Sequence, residues 1–318
     1  MAVVANIDDT FTAAINGDRR MLARSISMIE NRVDGTLRAM ASLAPKRKKS
    51  AGSPRVVGIT GPPGAGKSTF VNLMISEARA RDQRVVVLAV DPSSPFTGGA
   101  ILADRIRMEQ HILDEGVFIR SLSSRGHLGG LSRAVGQVVD LIDAAGWDLV
   151  IVETVGVGQS ELAVCEIADT AVVILTPESG DAVQAMKAGL LEIADIFVIN
   201  KSDRAGADVL VRELELAVEL DEAATWKAPV LKASAVKGDG VADVVKQIIS
   251  HGDWCEGEGS FEWSERQGRG RVRTFLDLIG EDARFTAFQA LNGERSELKR
   301  SLETGDSNPY RMAAEYKA

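Results

Sequence analysis

Residues 61–69 read Gly-Pro-Pro-Gly-Ala-Gly-Lys-Ser-Thr, a complete G-x-x-x-x-G-K-S/T phosphate loop. In that pattern the backbone N–H groups from Gly64 to Ser68 ring a phosphate at a helix N-terminus, where the helix dipole also favours an anion. Lys67 brings a point charge to the β- and γ-oxygens, and the Ser68 hydroxyl is a ligand for Mg²⁺. Gly61, Gly64 and Gly66 let the backbone approach without a Cβ clash, while Pro62, Pro63, Ala65 and Thr69 complete the cradle. A Gly-rich turn that served shape alone has no need of Gly-Lys-Ser-Thr after an apolar run. The residues call for a nucleoside triphosphate.

A second motif, Asn200-Lys201-Ser202-Asp203, says which base it carries. The Asp203 carboxylate can accept both N1–H and N2–H of guanine, and adenine offers no such donor pair. The Lys201 stem can cover the base face, Asn200 opens the motif, and Ser234-Ala235-Val236 can give a backbone N–H to guanine O6. GTP and GDP are therefore the expected substrate and product.

Two acids stand where apolar runs end, Asp91 after Val85–Val90 and Glu153 after Leu149–Val152. Singly, such a carboxylate is commonly a helix cap. Beside a phosphate loop, the pair suits Mg²⁺ or its waters. Glu153-Thr-Val-Gly156 also has the pattern of a γ-phosphate sensor, with the Gly156 N–H as detector. Lys67, Glu153 and Gln159 are the catalytic candidates, Gln159 as the residue that orients the attacking water or, alternatively, as a structural hydrogen-bonding group. No arginine finger can be assigned, so slow intrinsic hydrolysis is expected.

Those residues need a scaffold. A chain of 318 residues that is 45% hydrophobic can bury one large core with helical additions. Its net charge of −8 argues against a nucleic-acid partner. Cys165 and Cys255 form no CxxC pair, which fits a reducing cytoplasm, and His111, His127 and His251 are too scattered for a metal store. No leader-like N-terminus and no apolar window of membrane-spanning length is seen, so a cytoplasmic protein with no membrane contact is expected.

Val56–Thr60, Val85–Val90, Val117–Arg120, Leu149–Glu153, Thr170–Thr176, Ile196–Asn200 and Val230–Ala233 are β-rich runs without clean alternation. Strands covered on both faces read that way, so an α/β fold is expected: a mostly parallel sheet flanked by helices. Right-handed crossovers put every strand's C-terminal end on one edge, where the motif residues fall. Residues 7–43 carry helical periodicity, which Asn16-Gly17-Asp18 divides into two helices with Asp18 as N-cap. The expected organisation is 1–54 as an N-terminal helical extension with a basic linker, 55–250 as the nucleotide domain and 251–318 as a C-terminal helical extension. The composition shifts after Ser250: His251 to Arg271 is rich in Gly, Glu and Ser, and helical runs follow.

Together with Asp91-Pro-Ser-Ser-Pro-Phe-Thr-Gly-Gly-Ala-Ile-Leu102, Arg125-Gly-His-Leu-Gly-Gly130 and Glu153-Thr-Val-Gly-Val-Gly-Gln-Ser-Glu161, these residues closely resemble the MeaB/ArgK family, which includes the methylmalonic aciduria type A protein. The resemblance runs from about Gly17 to Gly240. It implies a homodimeric GTPase that escorts an adenosylcobalamin-dependent acyl-CoA mutase, methylmalonyl-CoA mutase or a related one, gating cofactor delivery and protecting the enzyme. Adenosylcobalamin would sit on the partner, and the cobalamin adenosyltransferase is a further implied contact. Asp91, Asp104 and Glu153 would be the Mg²⁺-linked carboxylates. Asp91–Met108, Glu153–Glu161 and Pro177–Lys187 would be three switches, the last facing the partner with Asp181, Gln184 and Lys187. The C-terminal helices would hold the dimer. Ala103-Asp-Arg-Ile-Arg-Met108 departs from the family's G-D-K-T-R-M. Two other readings are a metallochaperone GTPase for a nickel or zinc enzyme and a transport-linked kinase.

Overall fold

The computed structural model describes residues 6–42, 56–91, 109–111, 113–123, 133–154, 164, 167–178, 190–221, 224–292 and 296–303. Within them lie β1 (Val56–Thr60), β2 (Val85–Asp91), β3 (Val117–Ser123), β4 (Leu149–Thr154), β5 (Thr170–Leu175), β6 (Ile196–Ile199) and β7 (Val230–Lys232). They form one seven-stranded sheet in the order β3-β2-β4-β1-β5-β6-β7, and every pairing is parallel. The expected α/β class is the observed one.

The absence of alternation has a simple origin, since both faces of the sheet are covered. Val86, Leu88 and Val90 of β2 pack on one side, with helices α1 (Ile7–Ile15), α2 (Arg19–Glu30) and α5 (Arg133–Ala144). Further along that face, Val173, Leu175, Phe197 and Ile199 lie under α6 (Ala207–Glu219). Val85 and Val87 point the other way, toward α4 (Lys67–Arg79) and α7 (Val241–Glu256), with Val57, Ile59, Val172 and Ile174. Each buried Val or Ile contributes on the order of 1.5–3 kcal/mol, so the sheet is a rigid platform for whatever its C-terminal edge carries.

The N-terminal helices belong to that core. Asn6 caps α1, and Asp18 caps α2 by accepting from Arg20 N and Met21 N, as its position after Gly17 predicts. Arg120 of β3 reaches Glu30 at 2.6 Å, tying α2 to the sheet. The two-helix expectation for 7–43 needs correction. A third helix, α3 (Thr36–Ser42), follows a break at Asn31–Gly35, where Arg32 and Gly35 take φ of 53° and 89°. The periodicity runs through this break because Ile29, Val33 and Leu37 keep helical spacing while the backbone turns.

The Gly/Glu/Ser-rich segment 251–271 is also helical, apart from the turn at 257–259. α7 continues to Glu256 and α8 (Ser260–Asn292) begins at once. His251 and Cys255, then Trp263 and Gln267, are spaced four apart and turned inward, which overrides weak local propensity. Asp169, just before β5, accepts from Val56 N at 3.1 Å with Oδ2 and from Trp263 Nε1 and Gln267 Nε2 at 3.2 and 3.1 Å with Oδ1. Asp195, just before β6, accepts from Ala171 N and pairs with Arg266. The start of α8 is thus stitched to the sheet's N-terminal edge.

Two compact units are present, Met1–Gln267 and Gly268–Ala318. In the second, α8 continues and α9 (Ser296–Glu303) follows. There Val272, Phe275, Leu276 and Ile279 stand at helical spacing, each more than half exposed. Among the described residues no helix is long and apolar enough to cross a membrane.

Candidate nucleotide site

β1 is fully buried and delivers the chain to the sheet's C-terminal edge at Gly61. Gly61 has φ 138°, and a Cβ there would lie 2.0 Å from the Ile174 carbonyl oxygen of β5. Gly66 ends the loop at φ 88°; a Cβ would lie 2.5 Å from Asn200 Nδ2. Only glycine meets both demands, so the loop's shape follows from its neighbours. α4 starts at Lys67 with no side-chain cap and no acid in its first turn. Its leading N–H groups therefore face the loop's mouth, with the positive end of the helix dipole behind them. Lys67 Nζ donates to the carbonyls of Gly61 and Pro62 at 2.7 and 3.0 Å, which holds the ammonium across the loop.

Ser68 and Glu153 meet beside it. Parallel pairing sets Glu153 of β4 next to Ile59 and Ala89, and the Ser68 hydroxyl donates to Glu153 Oε1 at 2.6 Å. Both residues are buried. One neutral and one anionic hard oxygen at the head of a phosphate loop fit Mg²⁺, which takes few protein ligands and completes its shell with water and phosphate. Thr154 follows and donates to Thr60 at 3.1 Å, locking the ends of β4 and β1 together.

The residues expected to read the base sit on two loops that hold each other. Ser202 N donates to Ala233 O at 3.0 Å, and the Ser234 hydroxyl donates to Asp203 Oδ1 at 3.0 Å. That hydrogen bond, with Lys237 nearby, holds the Asp203 carboxyl below the usual carboxylate range, so it presents an anion. Lys201 takes φ 55°, a left-handed conformation unusual outside glycine. Val236, at the tip of its turn, is 91% exposed and so free to lie along a ligand.

Asn200 has a part its motif did not reveal. Its Nδ2 donates to Ala65 O at 2.7 Å and its Oδ1 accepts from Ala235 N at 3.0 Å. The side chain thus fastens the phosphate loop to the loop after β7. Of the backbone N–H groups in Ser234-Ala235-Val236, one of which is expected to face guanine, that of Ala235 is engaged by Asn200 and that of Ser234 by Asp239 O. Pro62, Pro63, Gly64, Ala65 and Thr69 complete the same stretch of loop and helix. Asp91 ends β2 beside Ser123, with its side chain outside the described residues. Asp104, Gln159, Gly156, Asp181, Gln184 and Lys187, and with them most of the three switch segments, also lie outside the described residues, as do the linker 45–54, Cys165, His127 and the tail from 304. Sequence reading missed Asp169 and Asp195. Their signal was Ala-Asp standing twice before an apolar strand, at 168–169 and 194–195.

A parallel sheet with a phosphate loop at the end of its central strand defines a phosphate-loop nucleotide-binding protein. The family model described as methylmalonyl Co-A mutase-associated GTPase MeaB matches residues 22–286. A Pyrococcus horikoshii protein named as a GTPase is 46% identical over 264 residues, 82% of each chain. The mouse methylmalonic aciduria type A homolog, mitochondrial, is 35% identical over 329 residues of alignment, covering 96% of this chain and 78% of that one. The crystal structure of a protein named LAO/AO transport system kinase superposes with a TM-score of 0.69 at 26% identity, over 99% of this chain and 97% of that one. The chain belongs to the MeaB family of GTPases.

Proposed function

We propose that this GTPase is the chaperone of an adenosylcobalamin-dependent acyl-CoA mutase, methylmalonyl-CoA mutase or a relative, and that GTP binding and hydrolysis gate cofactor loading and protect the mutase. The observation that carries this reading is the match over residues 22–286 to a family described by its association with that mutase.

In this reading the N–H groups of Gly64 to Ser68 hold the β-phosphate and Lys67 spans to the γ-phosphate. Asp203 fixes the guanine edge, Lys201 lies along the base, and Ser234 keeps Asp203 aimed. Ser68, Glu153, Asp91 and Asp104 would hold Mg²⁺, directly or through water, and the ion would supply positive charge to the phosphates. Glu153, already bonded to Ser68, steadies that end of the site. Hydrolysis adds water across the γ-phosphoryl anhydride and releases GDP and phosphate, with Gln159 as the residue to orient the water. The apolar stripe Val272, Phe275, Leu276 and Ile279 supports a homodimer held by the C-terminal helices.

The test is calorimetric titration of the GTP-loaded protein with an adenosylcobalamin-dependent mutase, and separately with Ni²⁺ and Zn²⁺. Saturable binding to the mutase is expected. Stoichiometric metal binding with no mutase binding would overturn the reading in favour of a metallochaperone.

A further inference from the structure

We infer that Glu178 is a positioning residue for the base: it fixes Lys201 in advance and so sets how long a guanine nucleotide stays bound. The inference rests on the nucleotide reading of Lys201 given above. Pro177 and Glu178 leave β5 on the edge that carries the phosphate loop. Glu178 Oε2 accepts from Lys201 Nζ at 3.4 Å, while its Oε1 pairs with Arg204. Behind them Pro177 packs on Gly206, where a Cβ would stand 3.5 Å from Pro177 Cβ. The turn after β5 and the loop after β6 are therefore joined by one carboxylate with two cationic partners.

Lys201 has reason to need it. Its backbone is held left-handed at φ 55°, and its side chain is 27% exposed. A long, partly exposed lysine side chain samples several rotamers, and that freedom must be given up when a base arrives. Fixing the far end of the stem removes part of this cost before binding, which is preorganisation. Arg204 supplies Glu178 with a second donor, so the carboxylate does not simply follow the lysine. Asp203 has its own partners in Ser234 and Lys237, so reading the guanine edge and holding the base face are separable tasks. Glu178 acts on dwell time and Asp203 on base choice.

Release of mant-GDP by stopped flow, with steady-state GTP hydrolysis alongside, tests this in full-length Glu178→Gln, Arg204→Gln and the double variant. At low salt, Glu178→Gln should raise the GDP off-rate and Kd about three- to fivefold, the reach of a partly exposed ion pair. The GTP KM should rise with it while kcat holds, and the preference for GDP over IDP should stay as in the wild type. In about 1 M NaCl, where the Debye length is about 3 Å, the difference from wild type should shrink toward unity. Arg204→Gln should have a smaller effect, and the double variant should be no worse than Glu178→Gln. An off-rate within about 1.5-fold of wild type at low salt would overturn the proposal. So would an increase that survives high salt together with a fall in kcat, which marks general structural damage. A wild-type chain that binds ADP as well as GDP would instead overturn the nucleotide reading, and the proposal with it.

Discussion

In the proposed site Asp203 carries the base discrimination, and its chemistry permits a sharp test. Replacing it by Asn leaves guanine's N1–H and N2–H without their anionic acceptor, a loss on the order of 1.5–3 kcal/mol. GDP affinity should fall roughly 10- to 150-fold while xanthine nucleotides gain, as measured by competition against mant-GDP. Because the Ser234 hydrogen bond holds the Asp203 carboxyl below the ordinary aspartate range, the anion persists as pH falls. A lowered pKa puts the loss of binding below about pH 4, so affinity from pH 8 to about pH 5 should change little through this group. Lys67→Ala should abolish turnover without loss of fold. The motif residues were legible because a single ligand forces their types and spacing. Asn200's clamp on Ala65 and Glu178's hold on Lys201 were not. They join residues 135 and 23 positions apart, and nothing local in either segment announces the other.

Among the elements, the loop after β1 is the least forgiving. A Cβ at Gly61 would collide with backbone of β5, which no rotamer change relieves. Gly61→Ala should therefore lower GDP affinity by about tenfold or more through a displaced loop, read by the same competition assay. At the sheet's other edge, Asp169→Ala removes the carboxylate that accepts from Val56 N–H, Trp263 Nε1–H and Gln267 Nε2. A loss of about 3 kcal/mol is expected in urea unfolding followed by tryptophan emission. A loss below about 1 kcal/mol would show that α8 is held mainly by packing. All seven strands could be read from the sequence, because strands of a parallel sheet covered on both faces are mostly apolar. The helix break at Asn31–Gly35 was hidden by helical spacing that continues across it, although Asp34-Gly35 is a local turn signal. The helical course of 251–271 is fixed by tertiary contacts: Cys255 and Gln267 are buried, Trp263 donates to Asp169, and Trp254 stacks on His251.

For the molecule as a whole, the family and the α/β class were recoverable from sequence, since both rest on long, specific blocks. The boundary between the two units at Gln267 and Gly268 was not, because it falls inside the continuous helix α8. Ending the chain after Arg271 retains Trp263, Arg266 and Gln267, so the first unit keeps its ties to α8 and should still bind GTP. Light scattering should report a monomer; a truncated dimer would place the dimer contact elsewhere. The most direct measurement is the single-turnover rate of GTP hydrolysis with and without an adenosylcobalamin-dependent acyl-CoA mutase. Slow intrinsic hydrolysis that rises at least about tenfold at saturating mutase is the predicted result. A rate that no such mutase changes, with no complex formed, would contradict a chaperone role for this GTPase.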